Sequence, residues 1–131
     1  MLLFMLQNIF LEYLIWKKLP LKIIIDKMKE ISVQELQEKK ENGEDFQLID
    51  VREDFEYEMS NLGGLLLPLG GILIETDKIE QTKPVVVMCR SGKRSAAAIM
   101  QLEAQGFTNL FNLRGGILAW AAEIDPNINV Y

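Results

Sequence analysis

The sequence predicts an α/β fold built on a parallel β-sheet. The run Val85–Met88 is apolar at every position, which is typical of a parallel strand covered on both faces. Helical patterns alternate with short apolar runs along the chain, and the connections between them are short. Strands joined by such helices are parallel and have right-handed crossovers. We therefore expect a layered sheet with its helices packed on the faces.

The first half of the chain carries clear signals for a helix and a strand. Ser32 and Glu35 form a capping-box pattern and Gly43 supplies a stop, which predicts a helix of about ten residues between them. Residues 46–51 predict a short strand. Residues 53–59 are acidic with interleaved aromatic side chains, which predicts a short, mostly solvated helix whose charges need no ligand.

Later elements repeat the alternation of helix and strand. Residues 72–79 predict a loose helix ahead of the central strand. One face of the helix that follows the central strand contains four small or apolar residues: Ser95, Ala98, Ile99 and Leu102. Gly106 ends this helix, and residues 107–113 predict another strand. A turn at residues 114–116 then leads into a short helix with Trp120, which we interpret as a core anchor.

Composition excludes several classes of function. The length of 131 residues suits one compact domain, and the net charge of −5 argues against a general nucleic-acid binder. One cysteine excludes a disulfide within the chain, and the absence of histidine removes a Cys-His dyad, a Ser-His-Asp triad and the usual zinc sites. We therefore expect no metal and no cofactor. An unpaired thiol suits a reducing compartment, which predicts a cytoplasmic protein.

Residues 1–27 form an apolar extension ahead of a domain at residues 28–131. Residues 1–16 are apolar but interrupted by Gln7, Asn8 and Glu12, which argues against a transmembrane helix. The extension also lacks the basic start and cleavage site of a secretory signal. Three alternatives are an interfacial helix that associates with a membrane, a cover for an apolar patch, and a translation start at Met28. We favour the last.

A cationic loop follows the central strand and begins at the only cysteine. Cys89 is followed by Arg90, Lys93 and Arg94, with Gly92 among them, and an alanine-rich helical pattern comes next. Backbone N–H groups without helical partners and the positive end of the helix dipole favour an anion in such a loop. With the three cations they favour the thiolate, the nucleophilic form of Cys89. The alternative, a small buried core residue, requires neither the glycine nor the cations.

Three motifs resemble the signatures of the rhodanese (sulfurtransferase) family. They are residues 48–53 (Leu-Ile-Asp-Val-Arg-Glu), residues 89–95 (Cys-Arg-Ser-Gly-Lys-Arg-Ser) and residues 113–116 (Leu-Arg-Gly-Gly) followed by Trp120. The resemblance covers the chain from about Met28 onwards. It implies a rhodanese-like α/β fold with about five parallel strands and helices on both faces. Many members carry His-Ile-Pro-Gly-Ala near residues 61–65, and this chain departs from that pattern.

The resemblance also implies a ping-pong sulfur transfer with Cys89 as the catalytic residue. The thiolate attacks the outer sulfur of thiosulfate or a related sulfane-sulfur donor, sulfite leaves, and a persulfide remains. The acceptor is then a small thiol, cyanide or a protein thiol. The expected substrate-binding residues are those of the loop: Arg90, Ser91, Gly92, Lys93, Arg94 and Ser95.

Two residue assignments stay open at this point. Ser95 either hydrogen-bonds Cys89 or caps the following helix. Asp50 and Arg52 either border the sulfur site or form an ion pair that fixes the turn near it, and we favour the structural role. Asp50, Cys89 and Arg114 all lie at or just after the carboxyl ends of predicted strands, so we expect them at one edge of the sheet.

Two other functions use a similar loop. A persulfide carrier or sensing module with little turnover needs the same residues, and a partner supplies the second thiol. Phosphatase-like sites also place a cysteine in an amide-lined loop, but with five residues before the arginine and usually a histidine before the cysteine. Here four residues separate Cys89 from Arg94, and Met88 precedes the cysteine, which argues against phosphatase chemistry. The sequence predicts no oligomeric state.

Overall fold

The computed structural model describes residues 28–130, and the predicted extension of residues 1–27 lies outside them. The strands of this part are β1 (Glu30–Ile31), β2 (Gln47–Asp50), β3 (Leu65–Leu66), β4 (Val85–Met88) and β5 (Leu110–Leu113). They form one sheet in the order β1-β5-β4-β2-β3, and every neighbouring pair is parallel. The predicted α/β class and parallel sheet are confirmed.

Helices connect these strands. The α-helices are α1 (Val33–Glu41), α2 (Asp54–Met59), α3 (Lys93–Ala104) and α4 (Gly116–Glu123). Two 3-10 helices, Leu69–Ile74 and Thr76–Lys78, replace the loose helix predicted over residues 72–79. Gly70 and Gly71, inside the first of these, have low helix propensity, which disfavours a continuous α-helix through it. Within residues 28–130, no helix is long and apolar enough to span a bilayer.

The predicted limits of α1 are confirmed by its caps. Ser32 Oγ accepts a hydrogen bond from the Glu35 N–H at 3.1 Å. Asn42 is the C-cap of α1. Gly43 follows it with φ +61°, a conformation that glycine adopts most readily. Strand β5 is shorter than the predicted strand over residues 107–113, because its ladder to β4 begins only at Leu110.

An apolar core lies on each face of the sheet. Side chains along β4 alternate between the two faces and so contribute to both cores. Val85 and Val87 pack with the core face of α3, while Val86 and Met88 pack with α1 and α4. All four β4 residues are fully buried. Helices thus cover both faces of the sheet, as predicted. Since all strands are parallel, their carboxyl ends meet at one edge, and β2, β4 and β5 deliver the three sequence motifs to it.

Candidate active site

The backbone after β4 curls around the sulfur of Cys89. Gly92 adopts φ +102° and is the N-cap of α3, so the loop turns sharply into the helix at this glycine. Its N–H donates to Cys89 Sγ at 3.0 Å. The structure therefore aims at least one amide dipole at the thiol, as the loop pattern led us to expect.

Cys89 lies deep at the base of this loop. The residue is 1% exposed and joins the core cluster on the α3 face of the sheet. Ser95 Oγ lies 3.4 Å from Cys89 Sγ. Because Gly92 caps α3 and Ser95 lies inside the helix, the structure places the Ser95 hydroxyl at the sulfur rather than at the cap.

Asn112 of β5 supports the loop from the neighbouring strand. Its Nδ2 donates to the Gly92 carbonyl oxygen at 3.1 Å, and Ser95 Oγ donates to Asn112 Oδ1 at 2.6 Å. Sequence reasoning missed this residue. The available signal was a polar side chain one residue before the carboxyl end of a predicted strand, on the same side as the core residue Leu110.

Residues at the start of α4, next to the third sequence motif, donate hydrogen bonds to the backbone of the loop. The Ile117 N–H donates to the Cys89 carbonyl oxygen at 3.0 Å, and the Leu118 N–H donates to the Arg90 carbonyl oxygen at 3.1 Å. Gly116, with φ +59°, lets the start of α4 come this close. A Cβ at this position would lie 2.5 Å from the Cys89 carbonyl oxygen, so the glycine is needed for space as well as conformation.

Arg94 forms a two-point ion pair with Glu56 of α2. Its Nη1 and Nη2 donate to the two carboxylate oxygens at 2.6 and 2.8 Å. Glu56 is 2% exposed, and the Arg94 side chain is 33% exposed. The prediction that the charges of α2 are solvated is therefore wrong at Glu56, because the helix turns this carboxylate toward the cationic loop.

Asp50 and Arg52 form a buried ion pair at the end of β2. Arg52 Nη2 donates to Asp50 Oδ2 at 2.8 Å, and both side chains are almost fully buried. Arg52 also donates to the carbonyl oxygens of Ser60 at 2.8 Å and Glu56 at 3.4 Å. The pair thus ties the turn after β2 to the middle and the C-terminal end of α2, which helps to position the Glu56 carboxylate for Arg94.

The remaining loop residues are more exposed than Cys89 and Ser95. Ser91 and Lys93 are exposed and Arg90 is half-buried. A groove of about 310 Å³ lies beside the loop. It is lined by Glu30, Ser91, Gly92, Lys93, Ala96, Asn112, Arg114 and Gly115. Arg114, at its rim, donates to Glu30 at 2.8 Å, and this hydrogen bond raises the pKa of the arginine.

Comparisons with known proteins identify the family and the fold. The model of the Rhodanese-like domain family matches residues 32–123. A protein of Allochromatium vinosum named Sulfurtransferase is 38% identical over 95 residues, which are 72% of this chain and 89% of that protein. The crystal structure of a rhodanese-like domain protein from Staphylococcus aureus has a TM-score of 0.68 at 30% identity and covers 79% of this chain and 99% of that chain.

Some relatives are much longer than the matched region. The chloroplastic Rhodanese-like/PpiC domain-containing protein 12 of Arabidopsis thaliana is 37% identical over 112 residues, or 79% of this chain. This chain spans 38% of the length of that protein. The shared region is therefore one domain that also occurs within larger proteins.

Proposed function

Because this chain belongs to the family of rhodanese-like domains, we propose that it is a sulfurtransferase that moves sulfane sulfur through a persulfide on Cys89. The observation that carries the proposal is the Gly92 N–H, 3.0 Å from Cys89 Sγ, at the start of α3. An aligned amide and a helix N-terminus favour negative charge on this sulfur. The thiolate carries its charge on this sulfur, and the persulfide anion carries it on the outer sulfur bonded to it.

Two displacements at sulfur make up the proposed reaction. The Cys89 thiolate attacks the outer sulfur of thiosulfate, a new S–S bond forms, and sulfite leaves with the electron pair of the broken bond. A thiolate or cyanide then attacks the outer sulfur of the persulfide. The Cys89 thiolate leaves with the electron pair of that bond and is ready for the next cycle.

The charged loop side chains bind the donor in this proposal. Arg90, Lys93 and Arg94 attract the anionic oxygens of thiosulfate, and the exposed Lys93 meets the donor first. The Glu56 carboxylate balances part of this charge at Arg94. We propose that Ser91, Gly92 and Ser95 are the other loop residues that bind the substrate. We also propose a cytoplasmic location.

The burial of Cys89 favours one alternative within the family. A thiol that is 1% exposed has little contact with solvent, and the same enclosure would protect a stored persulfide. A carrier that takes sulfur once and passes it to a partner protein would use this geometry with little turnover of small molecules. Turnover with cyanide separates a carrier from an enzyme.

Intact-mass measurement tests the proposal directly. Wild-type protein incubated with thiosulfate should gain one sulfur atom, and cyanide should remove it with release of thiocyanate. Cys89→Ser, which keeps the size of the side chain but removes the nucleophilic sulfur, should gain none. Repeated thiocyanate release indicates an enzyme, and a single release per chain indicates a carrier.

Two results would contradict sulfur transfer through Cys89. One is an equal mass gain in wild type and Cys89→Ser, which would place the sulfur elsewhere. The other is no mass gain with thiosulfate, polysulfide or a protein persulfide as donor, which would leave a binding domain without this chemistry.

A further inference from the structure

Asn112 contacts both groups that reach the sulfur of Cys89. Gly92 offers its N–H at 3.0 Å from the sulfur, and its carbonyl oxygen lies 3.1 Å from Asn112 Nδ2. Ser95 Oγ lies 3.4 Å from the sulfur and 2.6 Å from Asn112 Oδ1. The asparagine is 6% exposed, so few water molecules compete for these hydrogen bonds.

The hydrogen-bond directions around Asn112 follow from the chemistry of its partners. The Gly92 carbonyl oxygen can only accept, so the amide Nδ2 must face it and donate. Oδ1 therefore faces Ser95, and since an amide oxygen can only accept, the Ser95 hydroxyl must donate to it. Ser95 has one proton, which at 2.6 Å is committed to Asn112. Cys89 Sγ, 3.4 Å from Ser95 Oγ, is the second acceptor within reach of the same proton.

The Cys89 sulfur and Asn112 Oδ1 are therefore two acceptors for one Ser95 proton, while the Gly92 N–H donates to the sulfur in either case. A thiol S–H can donate weakly to the Ser95 lone pairs. A thiolate instead needs the Ser95 proton, and to obtain it the hydroxyl must turn away from Asn112 Oδ1. That buried oxygen then loses its donor, which costs about 1 to 3 kcal/mol. Negative charge on the sulfur is thus coupled to the bond between Ser95 and Asn112.

We propose that Asn112 is a positioning residue that competes with the Cys89 sulfur for the Ser95 proton and thereby limits the thiolate in the resting protein. This inference rests on the proposed sulfur transfer and identifies a residue that regulates it. Asn112 also anchors the Gly92 carbonyl, which keeps the Gly92 N–H directed at the sulfur. One side chain therefore controls both hydrogen bonds of the nucleophile.

Asn112→Asp tests the proposal with a change of similar size. The carboxylate holds the Ser95 proton more strongly, repels the Gly92 carbonyl and adds negative charge near the sulfur, so all three effects oppose the thiolate. We expect about tenfold less thiolate at neutral pH and about tenfold slower alkylation of Cys89 by iodoacetamide. Thiolate is measured as the ultraviolet absorbance difference from Cys89→Ser. Unchanged absorbance and alkylation would overturn the proposal.

Asn109→Asp, at the residue just before the amino end of β5, is the matched control. Its amide donates to the carbonyl oxygens of Glu80 at 2.9 Å and Lys83 at 2.7 Å, far from the loop. This variant also exchanges an amide that bonds backbone for a carboxylate. We expect wild-type alkylation from it, and a tenfold loss there would mean that general destabilisation explains both variants and would overturn the proposal.

A double-mutant cycle with Ser95→Ala separates the effect of the Ser95 proton from the effect of the negative charge that Asn112→Asp adds. Without the hydroxyl there is no proton to compete for, so Asn112→Asp should slow alkylation only about threefold in that background. An equal, tenfold effect in both backgrounds would overturn the proposal, because the added charge alone would then suffice.

Ser95→Ala alone keeps the test valid if Asn112→Asp does not fold. Since the Ser95 proton is held by Asn112, its removal should slow alkylation less than about threefold. A tenfold loss would show that the proton already bonds the sulfur and would overturn the proposal. Alkylation needs no sulfur donor, so a failure of the proposed sulfur transfer appears separately, in the mass measurement with thiosulfate.

Discussion

Replacing Gly116 by alanine should destabilise the protein by about 3 kcal/mol and slow persulfide formation on Cys89. Its φ of +59° costs a residue with a Cβ roughly 1 to 2 kcal/mol. The new Cβ would also press on the carbonyl oxygens of Cys89 and Arg90, which accept hydrogen bonds from the start of α4. The loop must move, or α4 must withdraw from it. Urea unfolding and the rate of mass gain with thiosulfate measure the two effects.

Gly43→Ala isolates the part of this effect that comes from contact with the loop. Gly43 has φ +61°, almost the same as Gly116, but no atom lies within 4 Å of an added Cβ. It should therefore lose only the conformational part, about 1 kcal/mol, and should keep the wild-type rate of persulfide formation. Equal losses of stability in both variants would show that the close approach of α4 to the loop contributes nothing.

Replacing Arg94 by alanine should lower the free energy of unfolding by about 2 kcal/mol. Removing one partner of a buried ion pair typically costs about 3 to 5 kcal/mol, and we expect less here because the Arg94 side chain is 33% exposed. The loss arises because the nearly fully buried Glu56 carboxylate gives up two charged hydrogen bonds. Urea unfolding at neutral pH measures it. Lys93→Ala, at the exposed neighbour, should change stability by less than about 0.5 kcal/mol.

The double variant Arg94→Ala with Glu56→Gln separates stability from donor binding. Neutralising Glu56 removes the charge that Arg94 balanced, so most of the lost stability should return. The rate of persulfide formation should stay low if Arg94 also attracts the donor, as we propose. A double variant that is stable and reacts at the wild-type rate would mean that Arg94 shapes the loop but does not attract the donor. A double variant no more stable than Arg94→Ala would contradict the importance of the ion pair.

Local signals along the chain predicted much of the fold. The cap at Ser32 and the stop at Gly43 set the limits of α1, because capping groups act within a few residues of the helix end. The apolar run at Val85–Met88 predicted a strand buried on both faces, which β4 is. The predicted face of the helix after the loop is buried in α3 at all four positions: Ser95, Ala98, Ile99 and Leu102.

The same signals could not show which distant polar groups meet. Glu56 belongs to an acidic run that is otherwise largely exposed, and its neighbours gave no sign that it alone turns inward. Its partner Arg94 is 38 residues away. Asn112 reaches Ser95 across 17 residues, and in a strand of four residues a single asparagine is also compatible with a solvent-facing position.

Residues that are neighbours along the chain were enough to predict the class of fold, the candidate nucleophile Cys89 and the cationic loop that follows it. The tertiary structure was needed to show that Glu56 pairs with Arg94, that Gly116 lets α4 approach the loop and that Asn112 accepts a hydrogen bond from Ser95. These contacts arise where the carboxyl ends of parallel strands bring separate segments together. Hydrogen bonds and ion pairs act over a few ångströms in space, whatever the separation in sequence.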